Sequence, residues 1–209
     1  MINLNSNNII ASGKNIDEAK KALIMIHGRG ANASDILSLA GHLHVSDYAL
    51  LAPQADNNSW YPFSFMVKQS INEPWLSSSL QMIKDLVDEI KSHSIAAENI
   101  YLLGFSQGAC LTLEFAARNA TKYGGIVAFT GGLIGDKIYN ENYRGDFNKT
   151  PVFIGSSNPD PHVPAERVIE TTAVLQKMNA GVTQKLYNGM GHTISDDEIN
   201  LANQLIFTV

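Results

Sequence analysis

Gly104-Phe105-Ser106-Gln107-Gly108 lies between an apolar run, Ile100-Tyr101-Leu102-Leu103, and a helical one, Ala109 to Arg118. Leu111 and Phe115 fall four apart in the second run, a helical spacing. The pentapeptide has the G-x-S-x-G pattern in which a strand turns sharply into a helix and holds a serine up at the bend. Its two glycines have a physical purpose, because strand and helix pass so close that a Cβ at either position would collide. The bend also drives the serine toward positive φ, a strain usually kept only where it has a function. Alone the pattern is weak. Flanked by strand and helix, it predicts a doubly covered α/β sheet with Ser106 as a nucleophile.

A serine nucleophile needs a base, and the base needs a group to orient it. In folds built around such an elbow these follow in the order Ser, Asp or Glu, His. Past Ser106 the chain holds two histidines, His162 and His192. His192 sits in a glycine-flanked loop, Gly189-Met190-Gly191-His192-Thr193, between the strand-like Gln184 to Tyr187 and a final helical stretch, Asp196 to Phe207. That is where a base should hang over the sheet edge. Between serine and histidine, Val152-Phe153-Ile154 reads as a strand, and Asp160-Pro161-His162-Val163-Pro164 follows in a short loop. Asp160 is thereby the favoured acid, at the end of a strand where open α/β sheets place their sites. Asp136 and Asp146 compete, each in a polar stretch expected to be exposed.

The third requirement is a pair of N–H donors for a developing oxyanion. One comes from the residue after the nucleophile, here Gln107, and the other from the loop after an early strand. Ala22-Leu23-Ile24-Met25-Ile26 is that strand, ending in His27-Gly28-Arg29-Gly30-Ala31. Its glycines let the loop approach a substrate closely, and Arg29 is the candidate for the second N–H.

Together, His27-Gly28-Arg29-Gly30, Gly104-Phe105-Ser106-Gln107-Gly108-Ala109, Asp160-Pro161-His162-Val163-Pro164 and Gly191-His192 resemble the phospholipase/carboxylesterase family. This is the group of small α/β-hydrolases that includes acyl-protein thioesterases, with dienelactone hydrolases as cousins. The resemblance runs in order from Leu23 to Phe207. It implies an α/β-hydrolase fold, with a mostly parallel central sheet, helices on both faces and no separate cap domain. Carried over position by position, it implies Ser106 as nucleophile, Asp160 as acid and His192 as base, with Arg29 and Gln107 as oxyanion donors. Two departures set the chain apart from the protein-deacylating members, which usually read His-Gly-Leu-Gly-Asp in the first motif. They also place the acid three residues after a glycine, where this chain has Asn158 and carries Asp160 five after Gly155.

Composition is that of a plain globular enzyme. A chain of 209 residues is expected to form one domain, 1–209, with a substantial core. Hydrophobic content of 44% and charged content of 17% are globular values. A net charge of −5 and a pI near 5.6 argue against nucleic acid or an anionic membrane as partner. Met1-Ile2-Asn3-Leu4-Asn5 carries no basic segment before an apolar one, so no leader peptide is expected. No apolar stretch approaches the roughly 20 residues that span a bilayer. Cys110 is the only cysteine, which excludes an internal disulfide and points to a reducing, cytoplasmic setting. As a residue of the elbow helix it reads as a small buried side chain rather than a redox-sensitive thiol.

Strands and helices alternate along the chain. Tyr48 to Ala52 predicts a strand closed by Pro53. Pro74 opens a helix whose Leu76, Leu80, Ile83, Val87 and Ile90 form an amphipathic stripe. Ile126 to Phe129 predicts a strand broken by Gly131-Gly132, and Pro164 begins a helix through Met178 that Gly181 is expected to cap. Such alternation implies a mostly parallel sheet covered on both faces. With no segment long enough for a cap domain, the site should be shallow and open.

Ser59-Trp60-Tyr61-Pro62-Phe63-Ser64-Phe65-Met66 is aromatic and aperiodic. It reads equally as an apolar substrate wall, through Trp60, Tyr61 and Phe63, and as a loop packed for stability. Leu133 and Ile134 are candidates for the opposite wall. His27 is expected to order its own loop, and His162 to be a partly exposed neighbour of the acid. No His/Cys/Asp/Glu cluster has metal-ligand spacing and no phosphate-binding glycine motif occurs, so neither metal nor cofactor is implied. The Arg29 side chain has two readings, a salt bridge to a nearby acid or a guanidinium offered to a substrate carboxylate.

The expected function is hydrolysis of small or short-acyl carboxylic esters through an acyl-enzyme. Thioester or lactone hydrolysis is the alternative within that chemistry. A non-catalytic binder is a third class, but such proteins typically lose the acid or the base. The expected partner is a small-molecule ester, and a homodimer stays open as the assembly.

Overall fold

The computed structural model describes residues 9–208; the leader reading of Met1 to Asn5 lies outside them. Among the described residues seven strands form one sheet: β1 Ile9–Gly13, β2 Lys21–Ile26, β3 Tyr48–Pro53, β4 Ile100–Phe105, β5 Gly125–Phe129, β6 Pro151–Asn158 and β7 Gly181–Asn188. Their spatial order is β1-β3-β2-β4-β5-β6-β7, with β1 antiparallel to β3 and every other pairing parallel. Five α-helices accompany them: α1 Ala33–Leu37, α2 Trp75–Ser92, α3 Gln107–Arg118, α4 Ala165–Lys177 and α5 Asp196–Leu205.

The strands read as unbroken apolar runs because both faces of the sheet are covered. Along β2, Ile24 and Ile26 pack into one core with Leu76, Ile83, Leu111, Val168 and Leu175 of α2, α3 and α4. The alternate residues Leu23 and Met25 pack on the other side with Ala33, Ile36 and Ala202 of α1 and α5. The α2 stripe, Leu76, Leu80, Ile83, Val87 and Ile90, is buried throughout.

Because the central strands are parallel, the loops that follow them gather at one sheet edge. Residues 27–32, 54–74, the elbow, 130–135, 159–164 and 189–195 all lie at the carboxyl ends of strands, where open α/β folds build their sites.

Two elements go unread and two local readings change. Strand β1 and the short helix α1 carry no periodic signal of their own; β1 exposes four of its five residues and exists by pairing with β3. Gly181 does not cap α4. Asn179, at φ +66, makes that turn, while Gly181 enters β7 and donates its N–H to Thr150 O. The last helix stops at Leu205 rather than Phe207.

Candidate active site

Ser106 stands between β4 and α3 at φ 55, ψ −118, outside the regions L-residues favour. Its N–H donates to Phe129 O and its carbonyl accepts from Cys110 N–H, so the strand on one side and the helix on the other hold the bend. A Cβ at Gly104 would run into the carbonyl of Gly108, and one at Gly108 into the carbonyls of Ile26 and His27. The elbow thus brings α3 against the end of β2, where the next part of the site lies.

Three side chains that the sequence scatters over 86 residues meet in a line. Ser106 Oγ lies 2.8 Å from His192 Nε2. His192 Nδ1 lies 2.9 Å from Asp160 Oδ2 and 3.2 Å from Oδ1. The Asp160 side chain is fully buried. Burial pushes its carboxyl up, but the N–H groups of His162 and Val163 and the His192 ring outweigh that and hold it below the usual carboxylate value of 3.8. A carboxylate on Nδ1 requires that nitrogen to carry the proton, which leaves Nε2 free to accept from the serine hydroxyl. The competing carboxylates are elsewhere: Asp136 is exposed and bonded to Tyr139, and Asp146 is exposed and bonded to Asn148 and Asn179.

One residue ties the acid and histidine loops together without any sequence signal. Ser157 Oγ accepts from Gly191 N–H at 2.9 Å and donates to Pro159 O at 3.0 Å. His162 stacks edge-on against His192, ring centres 4.7 Å apart, and lines the pocket.

The first loop is set by His27, which is buried. Its Nε2 accepts from Ala55 N–H at 3.1 Å, and a backbone N–H can only donate; Nδ1 therefore carries the proton and donates to Gly28 O at 2.8 Å. Burial lowers its pKa below the usual 6.5, in keeping with a neutral, loop-ordering ring. Among the described residues the N–H of the next loop residue, Arg29, meets no protein acceptor. The N–H of Gln107 belongs to the first turn of α3, whose donors have no partner within the helix.

An open cavity of about 500 Å³ covers this constellation, lined by Ser106, Gln107, His192, His162, Val163, Arg29, Cys110 and the run Tyr61 to Phe65. Tyr61 and Phe63 are thus where a substrate wall was expected. Trp60, Leu133 and Ile134 are not among the lining residues; all three are buried. Trp60 donates its indole N–H to His27 O at 2.8 Å and so serves the loop. Leu133 and Ile134 are drawn inward by polar groups the sequence did not flag. Thr171 and buried Glu114 accept their N–H groups, while buried Arg167 donates to Leu133 O. Cys110 is buried, and burial pushes its thiol up to about 12, so it stays a thiol.

Neither reading of the Arg29 side chain holds. Among the described residues it has no carboxylate partner. Four of its five N–H donors instead go to Ser59 Oγ and the carbonyls of Tyr61, Pro62 and Phe63 at 2.8–3.0 Å. Too few donors remain for a bidentate grip on a substrate carboxylate. Among the described residues no group of three or more His, Cys, Asp or Glu side chains could hold a metal ion.

A family model described as Phospholipase/Carboxylesterase matches residues 5–209. Acyl-protein thioesterase 1 of Saccharomyces cerevisiae is 28% identical over 209 residues, covering 88% of this chain and 90% of its own. The crystal structure of a phospholipase/carboxylesterase from Dyadobacter fermentans superposes with a TM-score of 0.96 at 55% identity, over 97% of each chain. A Bacillus cereus carboxylesterase shares the fold with a TM-score of 0.77 at 20% identity, over 96% of this chain and 93% of its own.

Proposed function

The chain belongs to the phospholipase/carboxylesterase family, and from that premise we propose that it is a serine esterase acting on small or short-acyl carboxylic esters. The observation that carries the reading is the line Ser106 Oγ–His192 Nε2–Asp160, with contacts of 2.8 and 2.9 Å, at an open cavity. His192 takes the Ser106 proton as Oγ attacks the ester carbonyl, and Asp160 holds the imidazole in the tautomer this needs. The N–H groups of Arg29 and Gln107 receive the oxyanion, each contributing about 3 kcal/mol in the transition state. His192 then gives its proton to the leaving alkoxide. Water, deprotonated by the same ring, attacks the acyl-serine and returns the enzyme with a carboxylic acid.

We read residues 1–209 as one catalytic domain working in a reducing cytoplasm. The family match over 5–209 and the lone buried thiol support this. Among the described residues no helix is long and apolar enough to cross a membrane.

A fluorophosphonate probe tests the assignment. One equivalent should label Ser106, and Ser106→Ala should abolish both labelling and ester turnover. Labelling that persists in the variant, or maps to Ser64 or Ser156, overturns it. Thioester hydrolysis is the second reading, favoured by the relatives named acyl-protein thioesterase. Comparing kcat/KM on oxygen esters and thioesters of one acyl group decides between them.

A further inference from the structure

The segment Tyr61 to Phe65, with buried Trp60 leading into it, forms one wall of the cavity without strand or helix to shape it. Buried or bonded backbone carbonyls must still find donors, and here each of six in a row does. Trp60 O accepts from Ser79 Oγ, Tyr61 O from Arg29 and Gln107, Pro62 O and Phe63 O from Arg29, Ser64 O from Asn72, and Phe65 O from Gly135 N–H. Arg29 serves three of the six, and for Pro62 and Phe63 no other donor is present among the described residues. Gln107 adds a second grip, donating to Tyr61 O at 2.8 Å and accepting from Trp60 N–H at 3.1 Å.

Arg29 and Gln107 are also the residues whose backbone N–H groups are read as the oxyanion donors. One residue thus carries both functions in each case, its backbone facing the carbonyl oxygen and its side chain gripping the wall. On the esterase reading, the chemistry assigns the wall a side. His192 must deliver a proton to the leaving oxygen, so the leaving group lies toward His192 and its neighbour His162. The acyl substituent of the same tetrahedral carbon then points the other way, toward Tyr61, Phe63 and Phe65.

We propose that the Arg29 side chain, helped by Gln107, is a specificity-determining positioning group that builds the acyl-binding wall and ties it to the oxyanion hole. The proposal rests on the esterase reading. A wall held in place lets each added acyl methylene be buried at full value, about fourfold in kcat/KM. A wall released from its donors must be ordered at each binding event and loses that gain.

The test uses the full chain with p-nitrophenyl acetate and butanoate. Arg29→Met keeps the backbone N–H and removes the grip. Arg29→Lys also keeps the charge, but one ammonium cannot reach oxygens spread over four residues. In both variants the butanoate-to-acetate ratio of kcat/KM should fall, by about tenfold in Arg29→Met, with the loss in KM for butanoate. General destabilisation, or a lost positive charge beside the oxyanion, would slow both esters alike. A ratio that is unchanged, both esters being slowed equally, or a ratio that rises overturns the proposal. If Arg29→Met does not fold, Arg29→Lys decides by the same ratio. Wild-type protein inactive on every ester would overturn the esterase reading itself, a different result from an active enzyme whose ratio ignores Arg29.

Discussion

Ser106 holds φ 55, ψ −118, a conformation that costs on the order of 1–3 kcal/mol and persists only where its surroundings dictate it. The cost aims Oγ at His192 rather than into helix α3. Asp160 is as closely specified: His162 N–H, Val163 N–H and His192 all point at its carboxylate, which keeps it ionised and facing Nδ1. Asp160→Asn preserves the shape but can present an N–H to the ring, favouring the wrong tautomer. Turnover should fall by about 10⁴ with little change in Tm, while Asp136→Asn and Asp146→Asn should stay near wild type. A severe loss in either control, with Asp160→Asn active, would mean another carboxylate orients the base. Asp160, Ser106 and His192 were legible because each sits in a short motif. Ser157, Glu114 and Arg167 were not, because a hydroxyl or charge gains its role only from a partner brought close by folding.

At the scale of elements, the crossing of β4, α3 and β2 decides whether a site exists. Gly108 carries that crossing, since a Cβ there meets backbone carbonyls of Ile26 and His27 that no side-chain rotation can move. Gly108→Ala should cost about 3 kcal/mol, near 10 °C in Tm, and shift the Gln107 N–H from its place. Thermal melts together with probe labelling check this; an unchanged Tm would show the close packing to be dispensable. Elements with their own period, such as α2 or the apolar strands, could be read directly. Strand β1 could not, because its reason for being a strand is the free edge of β3. The end of α4 misled because glycine is the usual C-terminal turn residue, and Asn179 took the left-handed turn instead.

Across the whole molecule, the buried carboxyl of Glu198 links folding to pH. It packs against Gly155 of β6, caps α5 through Ser195, and leaves Oε1 without a partner among the described residues. Burial raises its pKa above the usual 4.5, so the folded state binds this proton more tightly than the unfolded chain does. Stability from this group is therefore full below 4.5 and lost as pH rises through the raised value. Glu198→Gln removes that titration. Its stability relative to wild type should be greater near pH 7 than near pH 4, read from urea midpoints at about those two pH values. A difference that does not change with pH would show that Glu198 titrates as if exposed.

The sequence by itself determined the α/β-hydrolase architecture and the order of its central elements, because apolar strands, an amphipathic helix and a glycine-flanked elbow are local patterns of burial and backbone geometry. It also singled out Ser106, Asp160 and His192, because nucleophilic catalysis calls for those residue types and a fold built on such an elbow carries them in that order. What each residue of the aromatic segment does was decided only by the tertiary structure. Trp60 turned inward to a carbonyl, Tyr61 and Phe63 stayed at the cavity, and Arg29, itself exposed, found no acid but the carbonyls of a loop more than thirty residues away. Peptide carbonyls are the same in every residue, so no sequence pattern can tell which of them a guanidinium will meet; that depends on where the folded chain puts them.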